Sequence, residues 1–220
     1  MPNWCHNTLT VSGDESHVLA FVERAKSAEA PLSFNNFVPE PPDDVLRELE
    51  EFKPCTMCGA CGTLPKSPEQ ARARGARWYD WMASREDRTC NVCRGTKRER
   101  VGSEGWYRWR CEHWGTKWDA AFGEPFIALG SGDMDVELSV ETKGATLTPE
   151  VAVFKFDTAW APPLSFAEAV SEQYPDLEFT LRYGEPGEGF AGETRFIGGL
   201  TIEEVELSLD EVLAPEEMWF

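Results

Sequence analysis

The chain has 220 residues, enough for one large domain or for a domain carrying an added module. Its hydrophobic content of 41%, with 13 Phe, 9 Trp and 4 Tyr, suffices for a core and argues against disorder throughout. A formal charge of −18 favours solubility and opposes general affinity for nucleic acid, because phosphates are repelled.

From the N-terminus, Leu9 and Val11 alternate with Thr8 and Thr10, predicting a strand that stops at Ser12-Gly13. Asp14 is a good N-cap, and Val18, Phe21, Val22 and Ala25 fall on one helical face. Pro39, Pro41 and Pro42 precede an acidic stretch, Asp43 to Glu51, that reads as a short helix. Val136, Leu138 and Val140 alternate with acidic and hydroxyl residues and predict a half-exposed strand. Val151 to Phe156, apolar on both faces, predicts a central one. Ser165 to Glu168 reads as a capping box, followed by a helical stripe of Phe166, Ala169, Val170 and Tyr174 that Pro175 ends. Leu177, Phe179, Leu181 and Tyr183 alternate cleanly as a further strand, and the tail from Thr201 to Phe220 reads as a strand, an acidic helix or both.

Strand, helix, strand, strand, helix, strand is the order of an α+β split β-α-β sandwich, a ferredoxin-like arrangement with an antiparallel sheet and helices on one face. The charge divides the chain as well. Lys53 to Arg110 holds thirteen basic and six acidic residues, which leaves eight and thirty-three in the remainder. An inserted module is therefore expected: residues 1–52 open the sandwich, 53–105 form the insert, and 106–220 complete the sandwich with an acidic tail.

No apolar run approaches the roughly 20 residues that span a bilayer, and the first residues lack the basic and apolar regions of a secretory signal. Seven cysteines, five of them clustered, then argue for metal rather than disulfides. Cys55-Thr-Met-Cys58-Gly and Cys90-Asn-Val-Cys93-Arg-Gly are two C-x2-C pairs. In such a knuckle two thiolates grip one ion, and Gly59 and Gly95 sit where the backbone bends back beneath the sulfurs. Four thiolates suit tetrahedral Zn2+ in a zinc-ribbon or knuckle module, with Cys61 as a substitute ligand. Ser67-Pro68-Glu69 opens a helix to about Met82 between the pairs. Cys55-x2-Cys58-x2-Cys61 also opens an iron–sulfur signature, but Pro65 stands where its fourth cysteine belongs; a cluster remains the alternative. Pro54-Cys55-x2-Cys58 resembles half of a zinc deaminase site, yet no His-x-Glu lies upstream, and His-Glu-x-x-His is absent. The metal is expected to be structural, and no catalytic residue is assigned. Cys111-Glu-His113 and Cys5-His6 are weaker ligand pairs.

Four segments concentrate Trp, Asn and Gly: Pro2-Asn3-Trp4-Cys5-His6-Asn7; Trp109 to Asp119, which contains Trp114-Gly115-Thr116-Lys117-Trp118-Asp119; Phe156 to Pro163, which contains Thr158-Ala159-Trp160-Ala161-Pro162-Pro163; and Tyr183-Gly184-Glu185-Pro186-Gly187 with Phe190-Ala191-Gly192. Through these the chain resembles the YubB-type (Api-like) ferredoxin-like family of phages and conjugative plasmids. His113 stands where that family usually has Asn, and the cysteine insert is not general to it. The resemblance implies the fold and a mobile-element origin, hence a bacterial cytoplasm, and implies no reaction.

Asn3, Trp4, Trp114, Lys117, Trp118, Trp160, Tyr183 and Glu185 could line a pocket in which indoles stack on a planar ligand or peptide. Alternatively the rings fill the core, with Lys117 paired to Asp119 or Glu185. Together these readings favour a non-enzymatic acidic protein that binds a host or element-encoded protein. The alternatives are nucleic-acid binding through the basic, aromatic residues 53–110, where Trp78, Tyr79, Trp81 and Arg85 lie, and nucleic-acid mimicry by the acidic surface.

Overall fold

A computed structural model describes residues 3–28, 30–56, 89–90, 92–120, 126–130 and 150–213. They belong to two compact units, residues 1–40 with 109–220 (unit 1) and residues 41–108 (unit 2). The described elements are β1 (Trp4–Ser12), α1 (Glu15–Ala25), a 3-10 turn (Phe34–Asn36), α2 (Asp43–Glu48), β2 (Glu51–Pro54), β3 (Arg98–Val101), α3 (Gly105–His113), β4 (Phe126–Gly130), β5 (Val151–Ala159), α4 (Leu164–Gln173), β6 (Glu178–Glu185), β7 (Phe190–Ile197), β8 (Leu200–Leu207) and α5 (Leu209–Val212). Among the described residues, no helix is long and apolar enough to cross a membrane.

Unit 1 is built on a six-stranded antiparallel sheet in the order β4-β5-β1-β6-β7-β8. Its first four strands, with α1 and α4, have the ferredoxin-like α+β order, and β7 and β8 extend the sheet on one side. Alternation decides the faces. Cys5, Asn7, Leu9 and Val11 of β1 are buried, and Leu9 stands level with Phe154 on β5 and Leu181 on β6. Helix α1, capped by the Asp14 carboxylate accepting from the Ser16 amide, buries Val18, Phe21, Val22 and Ala25. The ring of Phe21 meets Phe154 and Phe179 edge-on at 5.8 and 5.5 Å and stacks on Phe37 at 4.9 Å. Each such buried ring contributes about 1.5–3 kcal/mol by leaving water.

One expectation changes here. Helix α4 begins at Leu164 behind the N-cap Pro163, and no side chain caps it; Ser165 lies inside the helix, so the expected capping box is not formed. The proline pair sets this start, because the Leu164 amide is satisfied by the Pro162 carbonyl at 2.9 Å. A capping box forms instead at α5, between Ser208 and Glu211. Strand β4 at Phe126–Gly130 was not read from the sequence, and the strand expected at Val136–Val140 lies outside the described residues, as does the helix expected from Ser67 to Met82.

The opposite face of the sheet is polar and carries ion pairs: His6 with Asp157 at 2.7 Å, Arg182 with Glu193 at 3.2 Å, and Arg195 with Glu178 and with Glu203. The loop after α3 closes one end of unit 1. Trp114, 2% exposed, donates its indole N–H to the Val38 carbonyl at 2.9 Å and meets Phe34 and Trp109 edge-on. Asp119 accepts hydrogen bonds from Ser33 Oγ and from the Phe34 and Asn35 amides, fixing the 3-10 turn.

In unit 2, β2 and β3 pair antiparallel, and α2 buries Leu46. A side chain at Gly105 would strike the Leu46 carbonyl, since its Cβ would lie 1.8 Å away.

The buried indole makes Trp114 the ring whose loss the fold of unit 1 feels most. Trp114→Ala is expected to cost about 3–5 kcal/mol in urea unfolding, the range for emptying a large aromatic site.

Candidate metal centre and aromatic end of the sheet

Cys55 follows β2, and Cys90 and Cys93 flank the turn that leads into β3. The Cys55 amide donates to the Lys97 carbonyl at 2.9 Å, which ties the first thiol to the second strand. Around the second knuckle the Arg94 amide reaches the Cys90 carbonyl at 2.7 Å and the Thr96 amide the Cys93 carbonyl at 2.8 Å. Arg94, Gly95 and Lys97 all take positive φ. Two of these are not glycine, so the chain bends tightly here against its own preference. The Glu99 carboxylate braces the first knuckle by accepting from the Thr56 amide and hydroxyl and pairing with Lys53.

The outcome is three buried thiols whose sulfurs lie within 4.8 Å of one another, an arrangement that could bind a metal ion. Cys55 Sγ and Cys90 Sγ are 3.8 Å apart. That separation is far beyond a disulfide bond, and two thiolates at about 2.3 Å from one tetrahedral ion stand about 3.8 Å from each other. Burial above all, with a hydrogen bond to the Cys93 thiol, pushes the Cys90 thiol above its ordinary range. Cys58 and Cys61 lie outside the described residues. Cys111 and His113 sit on α3 in unit 1, where the His113 imidazole stacks on Trp109 at 4.4 Å and meets the Trp109 carbonyl at 2.9 Å. Cys5 and His6, adjacent on β1, point to opposite faces of the sheet and cannot grip one ion together.

The eight residues expected to form a pocket are divided by the structure. Trp114 and Glu185 are buried. The Glu185 carboxylate is turned onto its own hairpin, accepting from the Gly187 and Glu188 amides. Tyr183 lies along the sheet over Gly192, where any Cβ would approach its hydroxyl to 2.7 Å. Asn3, Trp4, Lys117, Trp118 and Trp160 gather at the end of the sheet where β1 begins and β5 ends. Trp4 stands opposite Ala159 and 5.8 Å from Trp118 between ring centres, and the Lys117 ammonium lies 4.5 Å over the Trp118 ring. Trp160 is 48% exposed and adopts φ +74°, while its amide still donates to the Asn3 carbonyl at 3.0 Å. A bulky residue in this region is a backbone outlier, held by the strand pairing before it and by the Thr158 hydroxyl bonded to the Ala161 carbonyl after it.

Beneath this end runs a buried polar row that sequence reading left out. The Asn7 amide donates to the Cys5 carbonyl at 2.7 Å and to Thr158 Oγ1 at 2.8 Å. Burial, reinforced by the nearby Glu185 charge, pushes the Cys5 thiol up to about 12. The alternation of β1 was the available signal: Cys5 and Asn7 share a parity with Leu9 and Val11.

Residues 140–217 match the family model described as the ferredoxin-like domain in Api92-like protein. A crystal structure of a protein api92 from Yersinia pseudotuberculosis is similar at 13% identity and a TM-score of 0.47, the match covering 94% of this chain and 99% of that one. No curated protein matches the chain.

Two outcomes follow from this end of the sheet. Trp160→Gly removes a half-exposed ring and relieves the positive φ, so its stability in urea is expected within about 1 kcal/mol of the wild type. For Cys5 the folded thiol ionises well above its ordinary value of 9.0. The unfolded chain therefore releases this proton first, and stability declines as pH rises from about 9 towards 12. Cys5→Ala should flatten that decline in unfolding measured across this pH range.

Proposed function

We propose that the chain is a non-enzymatic, acidic interaction protein of a phage or conjugative plasmid, acting in the bacterial cytoplasm on a protein encoded by the host or by the element. A structural zinc ion held by Cys55, Cys58, Cys90 and Cys93 organises its unit 2. The observation that carries the metal reading is the 3.8 Å spacing of Cys55 and Cys90 within a buried trio of thiols. In a four-iron cluster each thiolate binds a different iron, which spreads the sulfurs more widely than around a single ion. The second knuckle supplies Cys90 and Cys93, the first supplies Cys55, and the C-x2-C spacing nominates Cys58 as the fourth ligand. Four thiolates leave no open position for water, and this supports a structural metal over a catalytic one.

The interaction reading draws its support from surface chemistry. The buried carboxylate of Glu185 and the buried amide of Asn7 are committed to hydrogen bonds within the fold. What faces outward is charge and exposed apolar surface.

Elemental analysis of the purified chain is expected to return about one zinc per molecule, falling by at least tenfold in occupancy in Cys93→Ser. Iron with a visible charge-transfer band would overturn the zinc assignment. Chelation is expected to unfold unit 2 and to leave the amide spectrum of the six-stranded sheet in place. The interaction itself is tested by affinity capture of the tagged chain from its bacterial host and reconstitution of the pair from purified components. A saturable complex with a defined Kd supports it, and a chain that forms none loses this reading.

A further inference from the structure

Among the described residues, β8 is the last strand of the sheet, paired to β7 alone. It is eight residues long, and its side chains stay outside the core, with Leu200 68% exposed and Ile202 and Val205 also exposed. A long edge with exposed aliphatic residues is the part of a sheet most open to another strand, because one row of amide and carbonyl groups lacks a ladder partner. Resting on the interaction reading above, we infer that β8 is the docking edge: an extended segment of a partner protein, with basic and aliphatic residues in alternation, adds to it as a further antiparallel strand.

The register with β7 assigns the faces. Thr201, Glu204 and Glu206 stand opposite Phe196, Thr194 and Gly192, on the side that packs under α4. Leu200 and Val205 stand opposite Ile197 and Glu193, on the other side. Strand β8 contains three glutamates and no basic residue. Glu203 is already held by Arg195 at 2.8 Å, which leaves Glu204 and Glu206 to set the charge of the helix-side row. Two copies of β8 paired edge to edge would bring these carboxylates together, and like charges across strands are unfavourable. The same glutamates that reject a second copy attract lysine or arginine on an incoming strand. The main-chain ladder supplies affinity while Leu200 and Val205 receive aliphatic side chains between the bases. The shift in register between Arg195 and Phe196 confines the regular ladder to Glu203–Leu207, so recognition centres on that stretch.

The probe is a fluorescein-labelled, end-capped octapeptide of alternating lysine and valine, titrated into the full chain by anisotropy. Comparison peptides have the same sequence with every backbone nitrogen methylated, or glutamate in place of lysine. The lysine–valine peptide is expected to bind at least tenfold more tightly than its methylated form. The double variant Glu204→Lys with Glu206→Lys is expected to lose at least tenfold in that affinity and to gain binding of the glutamate–valine peptide. Glu168→Lys with Glu188→Lys, which reverses the same charge at exposed positions elsewhere, is expected to stay within threefold of the wild type.

Equal binding of the methylated peptide, or equal weakening by the two double variants, would overturn the inference in favour of general charge attraction. A wild-type dimer in sedimentation that Leu200→Lys dissociates would overturn it in favour of a second copy. A captured natural partner whose Kd is untouched by Glu204→Lys with Glu206→Lys would sink the β8 assignment alone and leave the interaction reading standing.

Discussion

Unit 1 depends on β1 being hydrogen-bonded on both sides. A strand in that position cannot slip by one residue without turning Leu9 and Val11 out of the core. With register fixed, Phe154 and Leu181 fall level with Leu9, and Phe21 of α1 has rings on two strands to meet. The same parity carries Cys5 and Asn7 inward at the other end. The core therefore ends in a polar row, where the Asn7 amide ties β1 to Thr158 and Glu185 closes the hairpin after β6. Polar groups so placed are tolerated because each has a partner, and they fix the strand ends where apolar contacts alone would permit several arrangements.

Unit 2 rests on a different force. Its two described strands bury almost nothing: every residue of β2 is exposed, and β3 has one half-buried position. Phe52 and Val101 lie on the surface, the former beneath the Arg98 guanidinium. Among its described residues, Leu46 and the three thiols are the buried apolar groups. With so little apolar burial among these residues, the three neighbouring thiols, an arrangement that could bind a metal ion, are where a cross-link would add order.

The tryptophans divide according to how the chain reaches them. Trp114 follows a helix that delivers it over Phe34, and its indole N–H finds the Val38 carbonyl. Trp160 ends a strand at a reversal imposed by the following prolines, and the turn leaves its ring half in water at a costly φ. Side chains of one type, in motifs of similar composition, thus serve packing in one place and surface in the other.

Periodicity in the sequence was enough to identify β1, α1, β5, α4 and β6, because each buries one face and a buried face leaves a period of 2 or 3.6. The C-x2-C spacing likewise singled out Cys55, Cys90 and Cys93, whose thiols the structure brings close together, while Cys58 lies outside the described residues. Strand β4 escaped notice because Phe126 to Gly130 is a short apolar run with no polar alternation to mark it. Strand β7 escaped because Gly192 interrupts its pattern for the sake of the Tyr183 hydroxyl lying over it. The proximity of Cys55 to Cys90 was an inference from spacing, and their 3.8 Å separation was decided by the pairing of β2 with β3. Only the tertiary structure could send Trp114 and Glu185 inward while leaving Trp160 exposed and Lys117 half-buried. Only it could place β8 last among the described strands of the sheet, paired to β7 alone. Burial and edge position depend on which distant segments lie alongside, and local residue order carries no record of that.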